Sequence, residues 1–268
     1  MDKIFDIAKM DCEEHLGFAA GNLTAVRKFS ALVPAVILTA VVYGVLSLLK
    51  IALPQYEAIK MFFPYGEANR TFIPLVTVFF AMWCYVMLVM KKKKLAVQKK
   101  LLQALTACDS TEAREIFIAE NVEHASDFAA AELFLLERRL EKRNTSPAEK
   151  DAILTGAVGE YEKFSDTSFI PVSTFIWAIP VLGFIGTVLG LAKAVSKFGA
   201  LASSGDGSSF NAVLPQVTGG LATAFETTLI ALVLALILQM LSASRRQDEE
   251  TFFGSLKSNL SADKQDIA

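Results

Sequence analysis

The chain has 268 residues, 53 % of them hydrophobic, with a mean hydropathy of +0.43 and a formal net charge of −2. That is more apolar than a soluble domain of this size, and the charge excludes a nucleic-acid binder, whose surface must be basic. Cys12, Cys84 and Cys108 lack metal or redox spacing and read as free thiols, while His15 and His124 stand alone in polar segments and read as solvated surface.

Residues 1–30 are polar and mixed, with Ile4, Phe5, Ile7 and Ala8 suggesting a short amphipathic helix. No signal-peptide cleavage pattern follows, because the first long apolar run begins only near Leu32. From Leu32 to Leu53 the sole charge is Lys50, at the far end, where its stem can snorkel to the headgroups. At about 1.5 Å per residue this run spans the hydrocarbon core and is the first transmembrane helix. Residues 54–71 carry Pro54, Pro64, Gly66 and both charge signs, so a short loop is expected. Thr71 to Met90 is a second uncharged span, with Trp83 and Tyr85 toward its end, stopped by four lysines at 91–94. A lysine block beside a span is an orientation signal.

Residues 91–167 read as a water-soluble helical domain. Leu95, Leu101, Leu102 and Leu105 fall near helical spacing, as do Phe128, Leu133, Leu136 and Leu140. Asn-Thr-Ser-Pro at 144–147 is the clearest break, and Ser146 and Pro147 with Glu149 open another helix. Ser168 to Phe198 is the third span, longer than the hydrocarbon alone requires, with Lys193 and Lys197 at one end. A polar loop without Lys or Arg covers 200–215. Gln216 to Ala243 is the fourth span, closed by Arg245 and Arg246, and the rest to Ala268 is an amphipathic tail. The expected fold is an all-α membrane protein, with four transmembrane helices and a helical cytoplasmic domain between the second and third. Its segments are 1–30, 31–90, 91–167, 168–243 and 244–268.

Basic residues orient this arrangement. Of 26 Lys and Arg, residues 1–30 hold four, 91–167 hold thirteen and the tail holds four, against two in the 54–71 loop and none in the 200–215 loop. Both termini are therefore expected in the cytoplasm.

Polar residues within the spans carry the functional signal. In the third, Gly183, Thr187, Gly190 and Ala194 advance by four, three and four, forming one helical stripe with Gly186 beside it. In the fourth, Gly220, Ala224, Thr228, Ala231 and Ala235 form another. Such stripes let backbones approach closely where lipid offers no hydrophobic drive. Thr187 lies roughly 16 Å inside Phe198 and Thr228 roughly 18 Å below Gln216, so the two hydroxyls can sit level near mid-bilayer. They can line a polar path, or each can merely bond the carbonyl one turn back. Glu226 is the sole acid inside a span, where a carboxylate is costly and functional by default. It lies about 200° round the axis from Thr228 and about 60° from Thr223. It can line a wet path with Thr223 or accept hydrogen bonds from a neighbouring subunit as structural glue.

There is no phosphate loop, no nucleophile–base–acid set and no inverted repeat of broken helices, so neither an enzyme nor a secondary transporter is expected. No acid lies on the small-residue stripes either. If ions pass, the carrier acid comes from another protein, and the glycine face of the third span is the expected seat of that partner helix.

Residues 180–190, Pro-Val-Leu-Gly-Phe-Ile-Gly-Thr-Val-Leu-Gly, resemble the Pro/Leu-Gly-x-x-Gly-Thr-Val-x-Gly signature of the MotA/TolQ/ExbB proton channel family. Residues 220–229, Gly-Leu-Ala-Thr-Ala-Phe-Glu-Thr-Thr-Leu, are similar to its small-residue Ala-Phe/Leu-x-x-Thr helix. The match lies within residues 170–243. The resemblance implies a homopentamer in a bacterial inner membrane, its third and fourth helices surrounding a dimer of MotB/TolR/ExbD-like single-span partners. Each partner carries one membrane aspartate, and ion flow drives rotation or force transmission. It further implies that Thr187 and Thr228 line the pore and that Pro180 couples ion binding to conformational change. Two departures stand out. Transporter-type members carry a glutamate where this chain has Thr223, with Glu226 three residues later, and flagellar members carry a second proline that is missing after Leu241. Four spans with a long inner segment resemble flagellar stators, whereas the 30-residue N-terminal extension does not, and the subfamily stays open. The expected ion is H⁺ rather than Na⁺, since no cage of several oxygen ligands is spelled out, and no cofactor or metal is expected. The competing reading is a non-conducting membrane scaffold, whose threonines and Glu226 serve packing alone.

Overall fold

Inside lipid no water satisfies a free backbone group, so long apolar runs must close their hydrogen bonds within helices. The computed structural model describes residues 4–5, 23–26, 29–63, 71–108, 110–204 and 210–262, and its regular elements among these are helices. They are, in order, α1 (Leu32–Ala52), α2 (Glu57–Lys60), α3 (Ile73–Thr106), α4 (Thr111–Asn121), a 3₁₀ turn (Ala125–Asp127), α5 (Ala129–Lys142), α6 (Pro147–Ser168), α7 (Ile170–Ser204) and α8 (Phe210–Ala262). Among the described residues, four helical runs are long and apolar enough to cross a membrane: α1, α3, α6 continuing into α7, and α8. The protein is thus an all-α, multi-pass membrane protein.

The helices outrun their apolar stretches. α3 passes through the lysine block and α8 extends over 53 residues, taking in the expected tail as far as Ala262 and the end of the expected 200–215 loop. Pro215 therefore sits inside a helix rather than in a loop. It is the sixth residue of α8, so its missing N–H leaves the Asn211 carbonyl without its usual helical donor.

The chain divides into two compact units. One contains α1, α2, α3 up to Val86, α7 from Val172 and α8 up to Leu241. Within it an aromatic cluster joins α3 to α7, with the Trp83 and Phe175 rings 4.9 Å apart and Phe79 and Phe80 alongside. Cys84 is a buried free thiol.

The other unit contains the start of the chain, the rest of α3, α4 to α6 and the end of α8. Its core brings together Leu95, Leu101, Leu102 and Leu105 of α3, Ile118 of α4, Leu133 and Phe134 of α5, Val158 of α6, and Phe253 and Leu256 of α8. Leu136, one of the expected core positions, is only half-buried, and its neighbour Glu137 is buried instead. Lys150 on α6, 2.9 Å away, supplies the counter-charge that makes this possible. The break at 144–147 falls between α5 and α6. Asn144 takes φ +54° there, its N–H bonds Glu141 O and the Thr145 N–H bonds Leu140 O, a Schellman stop. Ser146 then caps α6 by accepting from the Glu149 N–H.

At Ile4 and Phe5 the chain is not helical. Phe5 instead forms an isolated parallel bridge with Val122, its N–H bonding Asn121 O at 2.8 Å. Its ring lies 6.2 Å from that of Phe117 and 6.5 Å from that of Phe128, so tertiary packing outweighs local periodicity. Ile7, Ala8, Cys12, His15, Pro64, Gly66 and residues 205–209 lie outside the described residues. His124 is exposed and Cys108 is a free thiol.

Candidate functional site

The small-residue stripes of α7 and α8 meet each other. A Cβ on Gly183 would stand 2.6 Å from the Ala231 Cβ and 3.2 Å from the Thr228 Cα. One on Gly190 would stand 2.8 Å from both the Ala224 Cβ and the Gly220 carbonyl oxygen. At Gly186 the neighbours would be the Thr227 Cβ at 2.7 Å and the Ile73 Cγ2 at 3.2 Å, which brings the first turn of α3 to the same seam. Gly220 is slightly looser, with Gly190 O at 3.2 Å. The glycine face of α7 is therefore filled by α8 of the same chain. It is not an open seat for a partner helix. The exposed large side chains lie elsewhere, including Phe184, Val188 and Val195 on α7 and Phe225, Leu229 and Leu236 on α8.

In the middle of this seam Thr187 and Thr228 come together. The Thr187 hydroxyl is 3.3 Å from Gly183 O, one turn back on its own helix, and 3.3 Å from Ala224 O across the seam. Thr228 mirrors it, 3.4 Å from Ala224 O on its own helix and 3.0 Å from Gly183 O across. The two hydroxyls also hydrogen-bond each other. Both side chains are half-buried. The two carbonyls also carry their helical N–H bonds, and Ala224 O takes the Thr227 hydroxyl as well, so the lone pairs left over to accept from a further donor are those of the Thr187 and Thr228 hydroxyls. A hydroxyl stays neutral, so the cluster can orient or relay a proton but cannot store charge.

The remaining candidates lie around this pair. Thr223 is 6 % exposed and donates to Gly219 O at 2.9 Å, on its own helix. Glu226 is half-buried on α8. Pro180 lies inside α7, where the missing N–H leaves the Ile176 carbonyl without its usual helical donor. Thr227 was not anticipated from the sequence. It is 1 % exposed, donates to Ala224 O at 2.9 Å and fills the space opposite Gly186. Its position seven residues after Gly220 and four before Ala231 is the signal that could have found it.

A second polar cluster was also missed. Lys91 and Glu249 are 1 % and 4 % exposed at their side chains and form an ion pair at 3.1 Å. The lysine block suggests a solvated belt, and Lys92 and Lys93 are indeed exposed. Lys91 and Lys94, however, continue a buried stripe through Met87, Gln98, Leu101 and Leu105, at steps of three and four. The spacing was readable, but the charge concealed it.

No curated protein matches the chain. The family model described as the MotA/TolQ/ExbB proton channel family matches residues 117–251, half of the chain, including both threonines and all four packing glycines. A paired-threonine seam between two membrane helices and this match lead to one conclusion: the chain belongs to the MotA/TolQ/ExbB proton channel family.

Proposed function

We propose that this protein is the channel subunit of an inner-membrane motor driven by the proton-motive force. Five copies surround a dimer of single-span MotB/TolR/ExbD-like partners, and ion flow is coupled to rotation or force transmission. The observation that carries this reading is the hydroxyl pair of Thr187 and Thr228, bracketed by the Gly183 and Ala224 carbonyls. Its surplus of acceptors suits a proton handed on by a membrane acid, and this chain has none on the seam, so the partner's aspartate is the donor. H⁺ rather than Na⁺ is the ion, and no cofactor is involved. Thr223 and Glu226 flank the path, while Pro180 loosens α7 one turn before Gly183 and gives it a place to bend. Twenty-one of 26 basic residues fall in the N-terminal segment, the 91–167 segment and the tail, which favours both termini in the cytoplasm.

The test replaces Thr187 or Thr228 with Val, which keeps shape and removes the hydroxyl, and measures ion flux with the partner co-expressed. Flux should collapse in either variant and recover with Ser, while unchanged flux overturns the reading. The rival is a non-conducting scaffold, favoured by the fact that each hydroxyl also reaches the carbonyl one turn back on its own helix. That rival expects no flux in wild type and weaker assembly in the Val variants.

A further inference from the structure

We propose that Lys91 and Glu249 form a latch that ties together the chain segments flanking all four spans on one side, with residues 23–26 as a working member of it. The participants come from four different flanks. Thr24 and Ala25 precede α1, Lys91 and Lys94 follow the second apolar run within α3, Ser165 and Ser168 close α6 just before α7, and Glu249 follows the fourth apolar run within α8.

The bonding leaves little slack. The Lys91 ammonium reaches Glu249 Oε1 at 3.1 Å, Ser168 Oγ at 2.6 Å and the Thr24 carbonyl at 3.4 Å. It also sits 4.1 Å from the centroid of the Phe169 ring, against which the Arg246 guanidinium stacks as well, at 4.7 Å. Glu249 Oε2 accepts from Thr24 Oγ1 at 3.2 Å and from the Ser165 hydroxyl. Lys94 donates to the Ala25 carbonyl at 2.8 Å.

Lysine ordinarily keeps its head in water on a flexible stem. Here two lysines are drawn inward, and the acceptors at 24 and 25 are main-chain carbonyls, which a change of side chain cannot remove. Residues 23–26 therefore help take two ammoniums out of water, and a gain of water at Lys91 and release of this segment are one event. A second anchor lies further back along the chain, at the bridge between Phe5 and Val122. Leu23 adds apolar packing in the same core.

The latch does not depend on the channel reading, and its test needs no partner protein. Hydrogen exchange is measured on the full-length protein in detergent, in a peptide covering residues 23–26. The main variant is Lys91→Met with Glu249→Leu, which removes both charges and leaves neither stranded. Exchange at 23–26 should become roughly tenfold faster while peptides from α5 keep their wild-type protection. A segment held by Leu23 and the Lys94 tie without Lys91 and Glu249 would stay slow in this variant, and that result overturns the latch. If the double variant fails to fold, Thr24→Val and Lys94→Met decide, since each removes one tie and strands no buried acid. Faster exchange confined to 23–26 supports the latch, and unchanged exchange in both overturns it.

Discussion

α8 takes polar side chains out of water in two places, by opposite means. At the seam with α7 the groups are neutral, and Thr187 and Thr228 share carbonyls that helices already carry. At Glu249 the group is a full charge, and its stability depends on Lys91, Thr24 and Ser165 all being in place. The first arrangement degrades gently, because a deleted hydroxyl leaves its carbonyls bonded within the helix. The second fails all at once, because a buried charge without its partner must either stay unpaired or give up its charge, and both are costly.

Stranding one charge is the sharpest way to break the comparison. Lys91→Ala alone, or Glu249→Ala alone, should cost about 3–5 kcal/mol in denaturant unfolding of the detergent-solubilised protein. The paired replacement Lys91→Met with Glu249→Leu should cost far less. Equal losses in single and double variants would mean that packing, not charge, holds this cluster.

The seam should respond to volume instead. Gly190→Ala places a methyl 2.8 Å from the Gly220 carbonyl oxygen, which backbone cannot easily yield, and should cost about 1–3 kcal/mol in the same unfolding measurement. Gly220→Ala, with its closest neighbour at 3.2 Å, should cost less. If the order reverses, helices α7 and α8 cross differently from the geometry described.

These two sites also differ in how far the sequence revealed them. The spans were legible because lipid demands about 20 uncharged residues, and the two small-residue stripes because Gly183, Gly190, Gly220 and Ala224 keep helical spacing. The ends of α3 and α8 were not legible. Beyond the spans the helices continue on a stripe that runs through Lys91, Lys94 and Glu249, side chains whose chemistry argues for solvent until a counter-charge is seen. No local pattern announces that Lys91 will meet a residue 158 positions away. Phe5 shows the same limit, since a bridge to Val122 depends on where α4 ends. The filling of α7's glycine face by α8 was equally hidden, because a stripe of small residues states that a backbone comes close without stating whose.

Removing hydroxyls tests the gentle side of the comparison. Thr187→Val and Thr228→Val should each change stability by only about 0.6 kcal/mol, the usual worth of a hydrogen bond between membrane helices. Large flux loss beside small stability loss separates conduction from packing. A stability loss as large as that of Gly190→Ala would favour the scaffold.

The smallest effect is expected where charges are paired but wet. Arg138 on α5 bonds Glu115 at 3.2 Å and Glu112 at 2.7 Å on α4, and Lys142 adds a second tie to Glu115 at 2.9 Å. The hydrogen bond from Lys142, then that from Arg138, hold the Glu115 carboxyl below the ordinary value of 4.5. A carboxylate whose pKa falls on folding stabilises the native state at pH above its unfolded value, and that contribution disappears as pH drops through the lower, folded value. Melting of the detergent-solubilised protein should therefore be insensitive to Glu115→Gln below that folded value, and only slightly lowered by it near neutrality. Salt should shrink even this difference, since the pair is exposed and screened. The Lys91 and Glu249 pair, shielded from water, should keep its full effect in the same salt. A salt response as strong there as at Glu115 would mean that the buried pair is wet after all.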